Sequence, residues 1–294
     1  MEAFLAQHEG SVRLGVFLGI LAAMALAETL APRRPLSVAR GFRWLNNLAL
    51  IAVGTGLLRV VFPFLAVAFA GIAQAHGWGL FNRVAAPYWL AVAVSFVALD
   101  LVIYLQHRLF HAVPLFWRLH MVHHADPDFD ASTGIRFHPI EIVLSMAIKF
   151  GAIALLGAPA LAVVLFEIVL NATSVFSHAN WRLPLGLDRV LRVVIVTPDM
   201  HRVHHSVIRR ETDSNFGFNF SFWDRLLGTY CPQPEAGHDA MTIGLPHYQQ
   251  QRRQGLIWML LLPFTGAPRP AADQVTSPVA GKVGAKPRVG GRAL

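Results

Sequence analysis

What most constrains this chain is a set of apolar runs of bilayer-crossing length, at 14–31, 45–73, 86–105, 140–156 and 160–177. A helix needs roughly 20 apolar residues to cross the hydrocarbon core, and only helices and closed barrels satisfy their backbone groups there. Composition points the same way. Across 294 residues, 54% are hydrophobic and 14% charged, with a mean hydropathy of +0.47, which leaves few charges to cover a water-facing surface. The first run holds one acid, Glu28, and lacks both a basic leader and a small-residue cleavage site, so it reads as a retained helix. The second is interrupted by Arg59 and Pro63, which allows one kinked, tilted helix or two shorter interfacial pieces, and the single helix is the expectation. The last two are joined only by Gly157, Ala158 and Pro159 and must form a helical hairpin. The expected fold is an all-α integral membrane protein with about four to five transmembrane helices.

Arg33, Arg34, Arg40 and Arg43 lie between the first and second runs, which places that loop in the cytoplasm. The N-terminus is then outside, the third helix returns to the cytoplasm near residue 106, and the chain beyond 179 stays there. The expected setting is the inner (cytoplasmic) membrane of a bacterium. Lys149 and Glu167 stand at similar distances from the hairpin turn, where they either neutralise one another or face a wet cleft. The formal net charge is +8. Arg269, Lys282, Lys286, Arg288 and Arg292 stand against one acid, Asp273, in a Pro/Gly/Ala-rich stretch over 265–294. That composition suits a disordered basic tail resting on anionic lipid, with no basic–aromatic pattern for a nucleic-acid partner. The single Cys231 excludes an internal disulfide and any Cys-rich metal site.

Histidine carries the chemistry. Eight of the fourteen histidines fall within 107–124 and 201–205. His107 and His111 are spaced i, i+4 where the third helix leaves the membrane, and Pro114 breaks that helix. The triplet His120, His123, His124 recurs as His201, His204, His205, the second behind a helix start of Thr197, Pro198 and Asp199. His138 and His178 stand at the membrane ends of the hairpin, and each could equally be a hydrogen-bonded core residue. His8, His76, His238 and His247 are isolated and take no role. Ten imidazoles at one level exceed what one four- to six-coordinate ion can use, so a helical His-rich di-metal domain on the cytoplasmic side is expected.

The order H-x-x-x-H, H-x-x-H-H, F-H-P-x-E, S-H-x-N and H-x-x-H-H, followed by Asn215-Phe-Gly-Phe and the stretch Phe222 to Tyr230, resembles the fatty acid hydroxylase superfamily, also called the sterol desaturase family. The resemblance runs from about residue 90 to 231. It implies a membrane-bound, non-haem di-iron enzyme that uses dioxygen to hydroxylate or desaturate a lipid. It further implies one metal on His107, His120, His123, His201 and His204, another on His111, His124, His178 and His205, and His138 as a weaker member. No catalytic residue beyond these ligands is singled out. Asp100 and Tyr104 fall near the stripe that leads to His107, where one of them could hydrogen-bond a ligand imidazole, while Tyr104 could equally be an interfacial aromatic. Glu141, Asn180, Asp126 and Asp199 are further candidates for that supporting role, with a helix cap or solvated turn as the competing reading for Asp126 and Asp199. The expected organisation is N-terminal transmembrane helices over 1–85, a catalytic domain over 86–264 and the tail.

Neither a G-x-G-x-x-G unit nor a haem-attachment motif is present, so electrons are expected from a separate donor, a ferredoxin or small cytochrome with its reductase. Two rival readings stay open. A divalent-metal binding or transport protein would want ionisable groups along the spans, and a metal-dependent membrane hydrolase would need an open coordination site and a general base. The spans offer only common apolar residues, so fatty acyl, sterol, ether-lipid, carotenoid and hopanoid-like substrates all remain.

Overall fold

The computed structural model describes residues 2–265, with side chains from residue 8 onward; the tail expected over 265–294 lies outside the described residues apart from Thr265. Helices α1 (Glu2–Leu30), α2 (Arg40–Val61), α3 (Ala66–Ala75) and α4 (Tyr88–Ala112) lead into α5 (Pro114–His124). The hairpin is α6 (Pro139–Leu156) and α7 (Ala160–Ser177). Short helices follow: α8 (Leu185–Leu191), α9 (Pro198–His204), α10 (Arg209–Thr212), α11 (Phe222–Leu226), α12 (Gly237–Ala240) and the apolar α13 (Leu256–Thr265). The described chain has no extended strand, only isolated bridges. Among the described residues the protein is all-α, with five segments long and apolar enough to cross a membrane.

The expected single helix over 45–73 is two. Phe62 to Leu65 interrupt it, because Pro63 lacks the amide that would continue the ladder. Together the two pieces still form one stretch, Arg40–Ala75, long and apolar enough for one crossing. Arg43 at the start of α2 bonds Asp126 beside the histidines, whereas a Cβ on Gly79, just past α3, would sit 2.1 Å from the Gly157 amide at the hairpin turn. Phe62, Phe64 and Phe69 close the break over Phe150, at centroid distances of 5.0, 5.9 and 4.4 Å. The hairpin turns on Gly157, whose φ of 64° suits a residue without a Cβ. Lys149 does meet Glu167, at 2.7 Å, and Arg13 of α1 takes the other carboxylate oxygen at 2.7 Å.

The loop of arginines after α1 lies at the same end as the histidines. Glu28 accepts the amides of Ala131 (2.6 Å) and Asn180 (2.8 Å) and pairs with Arg40. Arg43, fully buried, bridges Asp126 at 2.7 Å and Asp130 at 2.5 Å. Breaking one partner of such a buried pair costs several kcal/mol, because the other is left charged and dry. The N-terminal helices are thereby clamped onto the 126–136 turn that carries the chain from α5 to α6.

Candidate metal centre

Nine buried histidines converge in two groups. His107, His111, His120, His124 and His204 form one, and His123, His178, His201 and His205 the other; within each, the ligand atoms all lie within 4.8 Å of one another. Helix geometry explains the split. Residues four apart on a helix differ by about 40° in direction and residues three apart by about 60° the other way. His107 with His111 and His120 with His124 therefore stay together, as do His201 and His205, while His123 and His204 cross to the opposite group. The grouping by distance thus differs from the one the family resemblance implies, which kept the i, i+3 pairs together.

Each helix delivers its rings for a local reason. Pro114 ends α4 and opens α5 at its first position, turning the second pair of rings back over the first. Thr197 caps α9, accepting from the Met200 amide at 3.4 Å, as the sequence pattern predicted.

The donor set fits metal ions. His107 Nδ1 donates to the Phe216 carbonyl at 2.9 Å and His204 Nδ1 to that of Ser214 at 2.7 Å, which leaves Nε2 of each as the lone-pair nitrogen. Both Nε2 atoms are buried without a protein partner. His178 Nδ1 donates to the Ser174 carbonyl at 2.7 Å, and its Nε2 lies 3.1 Å from Nε2 of both His123 and His201. Two imidazole nitrogens bound at right angles to one ion at about 2.1 Å would be about 3 Å apart. Burial holds His123, His124, His201, His204 and His205 well below the ordinary histidine range and His178 down to about 3. The rings are thus neutral and ready to coordinate.

The other predicted residues divide. Glu141 Oε1 accepts from His120 Nδ1 at 2.7 Å, a direct support for that ring. His138 does not join either group. Its Nδ1 accepts from the Ile140 amide at 3.2 Å as the cap of α6, since Pro139 at the first helical position leaves the next free amide within its reach. Asp100 and Tyr104 bond no imidazole. Asp100 accepts from Trp223 Nε1 at 2.9 Å and from the amides of Asn219 and Phe220, and Tyr104 bonds the Thr229 hydroxyl at 2.7 Å. Asn180 holds the backbone of Arg34. Asp126 serves Arg43, and Asp199 pairs with Arg33 and Arg202.

Asp224, to which the sequence assigned no role, is the support for the His107 acceptor. It receives the amides of Phe216 (2.7 Å) and Gly217 (2.8 Å) and the Thr229 hydroxyl (2.7 Å), fixing the turn whose carbonyl His107 uses. Burial raises its carboxyl to about 6. Asp224 lies inside the 222–230 motif, but two of its three partners are backbone amides, which leave no mark in a sequence. Between α2, α4, α6 and α7 a cavity of about 180 Å³ ends on His107 and His120, walled by Ile51, Ile103, Ile142, Met146, Leu170 and Phe218, with Gln106, Ser145, Lys149 and Glu141 among its polar lining.

Residues 92–229 match the family model for fatty acid hydroxylases. The chain is 28% identical over 228 residues to ornithine lipid hydroxylase OlsE of Rhizobium tropici, covering 74% of this chain and 67% of that protein. It is 30% identical over 153 residues to the human alkylglycerol monooxygenase, covering 52% of this chain and only 32% of that protein. Methylsterol monooxygenase 2-2 of Arabidopsis thaliana is 28% identical over 49% of this chain and 54% of its own length. No solved structure matches the chain.

Proposed function

We propose, for a chain that carries a fatty acid hydroxylase domain, that it is a lipid oxygenase: it holds two iron ions on its nine histidines and hydroxylates an unactivated C–H bond of a bilayer lipid with dioxygen. The observation that carries this reading is the apolar cavity ending on His107 and His120, which joins the membrane-level helices to the buried imidazoles. Iron would supply the redox chemistry that cleaving dioxygen requires and that zinc lacks. The overall change is R–H plus dioxygen, two protons and two electrons to R–OH and water. The electrons would come from a separate ferredoxin or small cytochrome with its reductase.

The protein's own part is placement and exclusion. Ile103, Ile142 and Met146 would align an apolar chain against the histidine end of the cavity, and the buried site keeps bulk water from the oxidant. Glu141 and the Phe216 and Ser214 carbonyls hold three rings by their Nδ1 atoms, so Nε2 faces inward. The names of the relatives denote oxidations of different lipids, and a lipid substrate is proposed here with its identity to be read by experiment. The histidine end is proposed to face the cytoplasm, in the inner membrane of a bacterium.

The deciding experiment pairs iron analysis of the purified protein with lipid mass spectrometry of cells grown under ¹⁸O-labelled dioxygen. About two iron atoms per chain and a lipid carrying one ¹⁸O are expected. Label entering only from water would indicate the hydrolase reading. Bound metal that exchanges across the membrane without any lipid change would indicate transport.

A further inference from the structure

The stretch 185–194 and the stretch 220–227 packed on it belong to no crossing, and their surface is the wrong way round for water. Leu185, Val190, Val193, Val194, Leu226 and Leu227 are between 43% and 75% exposed. Apart from Arg189 and Arg225, several polar side chains in and beside these stretches turn inward. Ser221 is buried and donates to the Arg192 carbonyl, while buried Asn219 and Trp223 Nε1 spend their hydrogen bonds on Thr173 and Asp100. The two stretches are stitched by Val196 N to Asn219 O (3.1 Å) and Ser221 N to Val194 O (3.0 Å).

Their depth follows from the hairpin. Helices α6 and α7 have 18 residues each, about 27 Å against a hydrocarbon core of about 30 Å, so neither has length to spare and both near ends sit at the core boundary. Thr173, which bonds Asn219, is one turn inside that end. The Phe220 ring reaches further, to 6.0 Å from Phe96, which packs at 5.8 Å on Phe166 in the far half of α7. The 219–223 turn therefore lies above the boundary, not below it.

We infer that 185–194 and 220–227 form a monotopic wedge embedded in the leaflet on the histidine side, with lipid as the partner of the Leu/Val face. That face lies beside the exposed apolar residues Val97 and Leu105 of α4, and Arg189 and Arg225 within the stretches and Arg182 just before them are exposed, where anionic headgroups can meet them. The wedge brings one flank of the metal centre under acyl chains, although hydropathy assigns everything beyond residue 179 to the cytoplasm. An apolar patch of this kind in water would be an association hazard.

Bimane attached at Val193→Cys or Leu226→Cys, in a Cys231→Ser background and full-length protein in phosphatidylcholine/phosphatidylglycerol nanodiscs, reads the environment. Val97→Cys on α4 and the exposed Arg210→Cys serve as lipid and water references. Lipids brominated on the acyl chain should quench positions 193 and 226 to at least half the extent seen at 97, with iodide quenching several-fold weaker than at 210. Iodide quenching equal to that at 210 would place the face in water and overturn the wedge. Protection from both quenchers would show a protein partner or second copy covering it, which overturns it equally.

Discussion

At the scale of single residues, the contrast between His204 and His138 is the sharpest test of the metal centre. Both are buried, but only His204 aims an unpartnered nitrogen at the group. His204→Ala is expected to lower bound metal by about half or more and to abolish lipid oxidation while membrane insertion persists. His138→Ala should retain full metal and lose a helix cap, about 1 kcal/mol, together with the contact of Nε2 with the Leu260 carbonyl, visible as a drop in melting temperature. Loss of metal in the His138 variant would return that ring to the ligand set. Glu141 divides support from charge. Glu141→Gln can keep an acceptor for His120 Nδ1 and should keep metal, whereas Glu141→Ala should weaken metal affinity about 10–100-fold, the usual cost of losing such an outer partner. Equal affinities measured by chelator competition would remove Glu141 from that role.

At the scale of elements, the centre depends on how closely the 133–135 turn rides against α7. A Cβ on Gly134 would stand 2.6 Å from the Ser174 carbonyl oxygen and 3.3 Å from His178 Nδ1. The neighbour is helix backbone, which cannot step aside. Gly134→Ala is expected to cost about 1–3 kcal/mol through overpacking and to displace His178 from its Ser174 anchor. Thermal unfolding combined with metal analysis should show a lowered midpoint and preferential loss from the His123, His178, His201, His205 group. Unchanged stability and full metal would mean that the turn has slack the packing does not suggest.

At the scale of the whole molecule, orientation and pH response both follow from where charge is permitted. Arg83, beyond the far end of α3, and Arg210, on the histidine side, are both exposed. An impermeant maleimide added to intact cells should label Arg83→Cys and spare Arg210→Cys; the reverse pattern would invert the proposed topology. The metal-free protein should also be acid-labile. Histidines held below their ordinary value, such as His178 at about 3 and His238 at about 4, bind fewer protons folded than unfolded. Their contribution is therefore complete above about pH 6.5 and is lost as pH falls toward the folded values. Each such group forfeits about 1.4 kcal/mol per pH unit in that window. Melting temperatures of the apoprotein that stay flat from pH 7 to 5 would show that water reaches the rings.

The sequence by itself determined the elements and the cast. Apolar length marks the crossings because a bilayer forbids unsatisfied backbone, and the paired His triplets mark the imidazoles that the fold gathers, since i, i+3 and i, i+4 spacing is local geometry. What it could not decide was anything set by a distant partner. Helix spacing favours keeping each i, i+4 pair together, but which of those pairs share a group depends on how α5 and α9 approach one another. His138 has the look of its neighbours in the chain, yet Pro139 beside it makes its ring a cap. Asp100 lies on the right stripe but is claimed by Trp223 and two amides from more than a hundred residues away. Asp224 works through backbone groups that carry no residue signature, and hydropathy averaged along the chain cannot see a wedge whose apolar side chains are scattered over two short stretches. Local rules set periodicity and breaks; tertiary packing alone assigns each polar group its partner, because that assignment is made by the desolvation of neighbours the sequence does not place.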